Sequence, residues 1–182
     1  MQCLHFVVSE KMEEKQGRRN FLLVMVLSVC GLFYSGCGDD ALEPATLEVG
    51  YFDLDGLFTP LDETGELVII YGFQGGTWSM PGIMCTHFAD DRVLASATVT
   101  TDTGELIGDM AEIYIQIVED GSGYQVADNI QIPMVNPGGT AGDFIDEMYD
   151  GRAATLVVNV RDTTGQNASF TQDLTVIIEL PE

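Results

Sequence analysis

From about residue 47 onward, apolar and polar side chains alternate with a period of two. This is the pattern of strands that turn one face to a core and the other to water. Residues 92–102 show it best, with Val93, Ala95, Ala97 and Val99 on one face and Ser96, Thr98 and Thr100 on the other. Ile113, Ile115 and Ile117 alternate with Tyr114 and Gln116, and Leu156, Val158 and Val160 alternate with Val157, Asn159 and Arg161. A last strand over residues 170–180 places Leu174, Val176 and Ile178 inward. Clusters of Asp and Gly at 102–105, 119–123 and 162–165 separate these runs. Such clusters close hairpins, because Asp accepts bonds from nearby backbone amides and Gly takes positive φ at little cost.

Further strands are expected at 47–53, 66–73, 77–87, broken at Pro81, and 123–133. Eight short strands so spaced predict an all-β fold, an immunoglobulin-like antiparallel β-sandwich of seven to eight strands. A closed barrel is the alternative architecture. One stretch departs from the alternation: in 136–151, Phe144, Ile145 and Met148 stand at helical spacing, which predicts a short helical turn or a loop pinned by those three.

The start of the chain follows another pattern. Lys15, Arg18 and Arg19 precede residues 21–34, fourteen positions without a charge. A bilayer-spanning helix needs roughly 20 apolar residues, so the run suits the apolar core of an export signal better than a permanent anchor. It ends in Ser35-Gly36-Cys37, which resembles the lipobox of bacterial lipoproteins. The resemblance implies cleavage before Cys37 by signal peptidase II and a diacylglyceryl group on its sulfur. Tyr34 stands where that box usually has an aliphatic residue, and Val29 makes Cys30 a poorer candidate. Ordinary secretion and an uncleaved anchor are the alternatives, and Met12 is an alternative start. Gly38 follows Cys37 in place of the Asp that retains enterobacterial lipoproteins at the inner membrane, so the resemblance implies a lipid-anchored address in the cell envelope, at the outer membrane. The organisation expected is a signal peptide helix over 1–36, a tether over 37–46 and the sandwich over 47–182.

Removing the leader changes the charge more than the length. Residues 1–36 hold four of the seven basic side chains and three of the twenty-nine acids, leaving Arg92, Arg152 and Arg161 against 26 acids and no lysine. A formal charge of −23 argues against nucleic acid as a partner, because binding a phosphate backbone requires cations to displace its counterions. It also disfavours adhesion to anionic lipid through charge, so membrane contact is expected through the lipid anchor. With Cys37 acylated, Cys85 is the only thiol outside the leader, and it reads as a small buried apolar residue.

Two stretches carry a further resemblance. Glu66-Leu-Val-Ile-Ile-Tyr-Gly-Phe-Gln-Gly-Gly-Thr-Trp78 and Leu156-Val-Val-Asn-Val-Arg-Asp-Thr-Thr-Gly165 resemble myxobacterial-type lipoproteins with an immunoglobulin-like domain. That group has no assigned activity, so the resemblance implies a fold and an address and no catalytic residue.

The residues offer little catalytic chemistry. His87 is the one histidine outside the leader, no Gly-x-Ser-x-Gly elbow is present, and the absence of lysine there excludes Schiff-base chemistry. Cys85 and His87 supply two zinc ligands at strand spacing where three or four are needed. Abundant carboxylates suggest calcium as the one possible cofactor, held by loop oxygens, with Asp53, Asp55, Asp90, Asp91, Asp120 and Asp162 as candidates grouped at one end of the sandwich. Trp78 beside Gln74 reads as a core tryptophan, with a sugar-stacking platform or a peptide groove as the alternative. The expected function is therefore a non-enzymatic binding or structural module of the envelope, with an envelope protein or glycan as ligand. A calcium-dependent adhesion module and a hydrolase using paired carboxylates are the alternatives.

Overall fold

The computed structural model describes residues 43–71, 76–135 and 148–179. The leader with its expected helix, Cys37, Gln74, Phe144 and Ile145 lie outside the described residues. Among the described residues, twelve strands build two sheets. The first has the order β2 (Phe58–Pro60), β1 (Thr46–Phe52), β5 (Gly82–Thr86), β9 (Gln125–Ala127), β8 (Val118–Glu119). The second runs β10 (Ile132–Pro133), β4 (Thr77–Ser79), β3 (Glu66–Tyr71), β12 (Asn167–Glu179), β11 (Ala153–Arg161), β6 (Arg92–Thr101), β7 (Leu106–Gln116). A four-residue helix, α1 (Leu61–Thr64), follows β2 and stops at Gly65, whose φ of 66° only glycine adopts freely.

The sandwich is immunoglobulin-like in its connections. β1-β5-β9-β8 reproduces the A-B-E-D sheet, and β12-β11-β6-β7 the G-F-C-C′ sheet. Among the described residues all pairings are antiparallel except β3 with β12, where the early chain lies alongside the last strand. Residues from both inner faces form one core, among them Val49, Ile83 and Cys85 from the first sheet and Leu67, Ile69, Val93, Val99, Leu156, Val158 and Val176 from the second. Tyr51 ties the layers at their margin: its hydroxyl accepts the backbone N–H of Val68 in the other sheet at 2.8 Å.

The expected break at Pro81 is where the chain leaves the second sheet (β4) for the first (β5). Residues 123–133, read as one strand, divide in the same way into β9 and β10. The two crossings are joined by a bond from the Ile130 amide to the Pro81 carbonyl at 2.7 Å. Beyond β10, Met134 bridges to Gly108 of β7, so the two ends of the second sheet meet and part of it curls toward a barrel.

β7 is longer than its isoleucines suggest. Between Met110 and Ile113 it bulges against β6, and the extra residue exchanges its faces. Ile107 and Met110 are buried before the bulge; beyond it Ile113, Ile115 and Ile117 share the inner face as expected, and Ile117 is buried and Ile115 half-buried, but Ile113, opposite Ala95 on the edge strand, is exposed. At 148–149 it is Tyr149 that is buried, and Met148, one of the three expected pins, is half exposed.

Candidate functional site: a groove on the outer face of the five-stranded sheet

Register determines what this sheet shows to solvent. Gly50 lies opposite Gly82, so two adjacent positions on the outer face carry no side chain. The aromatic rings of Phe52 and Phe58 fold over the space, 4.9 Å apart at their centres and tilted by 53°. A Cβ on Gly50 would lie 2.3 Å from the Thr59 carbonyl oxygen and 2.7 Å from the Phe58 ring, and one on Gly82 would lie 2.6 Å from the Phe52 ring. One register step away, Glu48, Met84, Val126 and Val118 form a cross-strand row on the same face. The ring pair is thus a wall, and Met84 with Val126 is the floor, of a groove of about 680 Å3.

The loop between β1 and β2 forms the groove's outer lip. Asp53 shapes it, accepting the amides of Asp55 at 2.9 Å and Leu57 at 2.8 Å through one carboxylate oxygen. That leaves Leu54 fully exposed and Leu57 67% exposed beside the groove. Such side chains in the open are costly to solvate and mark a surface that gains by being covered. A second depression of about 600 Å3 continues past Val126 along Ile115, Val118 and Ala127, and shares Asp120, Asp128 and Asn129 with the first.

The charge around this groove is of one sign. Glu48 and Glu119 stand on the strands of the five-stranded sheet, and Asp53, Asp55, Asp120 and Asp128 on its loops. All three arginines of the folded body belong to the other sheet or its margin. Arg161 forms a two-point contact with Glu112, both at 2.8 Å. Arg152 lies 3.4 Å from Asp102 and 3.7 Å from Glu105. Arg92 stacks on the Tyr114 ring at 4.5 Å.

The acids proposed for calcium do not gather. β1 runs opposite to β5, so Asp53 and Asp55 leave at the far end from Asp90 and Asp91, contrary to the expected grouping. The miscount arose because the short strand β2 reverses the chain once between Asp53 and β3, a reversal that the sequence pattern does not show. Most of the candidates are engaged as turn-formers. Asp162, buried, accepts the amides of Ala89, Thr164 and Gln166 and the Thr164 hydroxyl. Asp90 reciprocates across the same two loops, accepting the amide and hydroxyl of Thr163. Asp120 accepts from the amide and hydroxyl of Ser122 and the amide of Tyr124. Among the described residues, no three His, Cys, Asp or Glu side chains come together as a cation site.

These contacts set the acidities. Burial alone would raise the Asp162 carboxyl, but the hydrogen bonds from Ala89, Thr164 and Gln166 outweigh it and hold the group below its ordinary range. Hydrogen bonds from Ser122 do the same for Asp120. A hydrolase acid must be kept protonated by its surroundings, and Asp120, at the groove, is held in the opposite state.

Other sequence candidates separate. The Cys85 thiol points into the core, where burial pushes it up to about 12, and donates to the Gln125 carbonyl at 3.1 Å. His87 lies past the end of β5 with φ of 64°, so strand spacing no longer holds and its ring turns out to Glu43 at 2.8 Å and the Pro44 carbonyl at 3.2 Å. With Ala45, whose amide donates to Gln166, these contacts make the end of the expected tether part of the folded body. Trp78 corrects the core reading: Thr77 and Ser79 face inward and are buried, and Trp78 lies half-buried on the outer face between Ile70 and Pro133. The groove has no distinct signal in the sequence, because only register brings Gly50, Gly82, Phe52 and Phe58 together. The chain matches no protein-family model and no curated protein.

Proposed function

We propose that this chain is a lipid-anchored protein of the cell envelope whose sandwich serves as a non-enzymatic binding module, engaging its partner through the groove of the five-stranded sheet. The observation that carries the binding role is the open groove with an apolar floor, an aromatic wall and two leucines held out on its lip. Support for the anchor comes from the sequence: a basic segment, an apolar run too short to span a bilayer, and Ser35-Gly36-Cys37. Acyl chains on Cys37 would supply membrane affinity at about 0.8 kcal/mol per buried methylene, so no basic or apolar membrane face is required of the polypeptide. Gly38 favours the outer membrane. The polar groups best placed for chemistry, Asp90, Asp162 and His87, are occupied in holding loops together, which favours binding over catalysis.

The anchor is tested by growing expressing cells with labelled palmitate. The wild-type chain is expected to carry label and fractionate with the outer membrane, and Cys37→Ala to carry none. Equal labelling of the two, or none in either, would overturn it.

A further inference from the structure

The geometry points to a partner class for the groove: an extended polypeptide segment in which Lys or Arg alternates with aliphatic side chains. This rests on the groove being the binding face and deepens that reading.

Three observations lead there. The groove's floor and wall are apolar and continuous, from Phe52 and Phe58 across Met84 and Val126 to Val118 at the sheet edge, so a ligand must bring apolar groups to gain by covering them. Its surroundings carry Glu48, Asp53, Asp120 and Asp128, and the five-stranded sheet holds no cation to offset them. A neutral or anionic ligand would desolvate or repel these carboxylates without return, whereas a cationic one pairs with them. The arginines that might compete from within the protein are engaged on the other sheet. Finally, the second depression runs along a sheet edge only two residues long, β8, beyond which, among the described residues, Ala127 of β9 has no strand on that side. An extended segment lying in the groove can continue there and pair its backbone with the exposed edge, while its alternate side chains reach floor and rim.

The probe is a fluorescein-labelled ten-residue peptide alternating Lys and Leu, titrated by fluorescence anisotropy against the full chain in non-ionic detergent. Saturable binding is expected. Glu48→Gln with Asp128→Asn, which removes two groove charges, should weaken it about 10-fold. Leu57→Ser, at an exposed position that does not enter the core, should weaken it about 5-fold. A charge-matched pair on the other sheet, Asp109→Asn with Asp173→Asn, should change it less than about 2-fold.

Equal weakening by the two charge-removing pairs would reduce the binding to the whole-surface field and overturn the proposal. So would equal affinity for an all-lysine peptide of the same charge, or no binding at millimolar peptide. Palmitate on Cys37 with no peptide binding overturns this partner class alone. Peptide binding without the label overturns the anchor and leaves this inference standing.

Discussion

At the scale of single residues, Asp162 holds two loops together. Its two carboxylate oxygens serve four donors, three of them backbone amides, and they fasten the β11–β12 hairpin to the loop that follows β5. Asp162→Asn keeps the size but turns a donor toward the Ala89 amide, and is expected to cost about 1–3 kcal/mol in urea unfolding. Because the carboxyl ionises at lower pH in the fold than in the unfolded chain, its stabilisation is complete above about pH 4, the ordinary Asp range, and fades as pH falls below that. The wild type should therefore lose stability faster than the Asn variant on acidification from pH 5 to 3. Parallel curves would exclude this role. Cys85 gives a second expectation. A buried thiol pushed up to about 12 has almost no thiolate at pH 8, so the native protein should resist a thiol reagent and react at once in denaturant. Rapid native labelling would contradict its placement in the core.

At the scale of elements, strands were legible where both faces have uniform surroundings. Val93, Ala95, Ala97 and Val99 are buried as alternation requires, and so are Leu156, Val158, Val160, Leu174 and Val176. Legibility failed where register or topology decides. Ile113 shares the inner face of Ala95, its partner on β6, yet is exposed because β7 is the edge strand of its sheet, and Trp78 lies outside because its strand turns Thr77 and Ser79 inward. β2 and α1 carry too few residues for any period to show, yet they deliver Leu61 to the core. The groove shares this origin: Gly50, Gly82, Phe52 and Phe58 are ordinary in sequence and become a site only when β1, β2 and β5 align. Gly82→Ala should accordingly force the Phe52 ring aside and meet the Asp128 carbonyl, which lies 2.9 Å from the added carbon. Overpacking of this kind typically costs about 1–3 kcal/mol. A thermal melt unchanged from wild type would show that the wall yields freely.

At the scale of the whole molecule, the acidic excess was legible from composition, but its distribution was not. Three arginines gathered on one sheet and its margin leave the strands of the other with acids and no cation, and mutual repulsion among those acids opposes the compact state. Sodium chloride raised from about 10 mM to 0.3 M should lift the melting midpoint by several degrees through screening. Calcium chloride at matched ionic strength is expected to do no more; an additional rise above about 3 °C would establish a cation site bound in the native state.

The clasp at the start of the folded body has a mechanical consequence. Glu43 and Ala45 are fastened to His87 and Gln166, and β1 then pairs with β5 over five successive residues from Thr46 to Gly50. If the chain is tethered at Cys37 while a partner holds the groove, tension enters along the axis of β1 and loads those five pairings in shear, all at once. Strands pulled this way resist far better than strands peeled one bond at a time. Because Met84 of the groove floor sits on β5, the same ladder would carry the load from ligand to anchor.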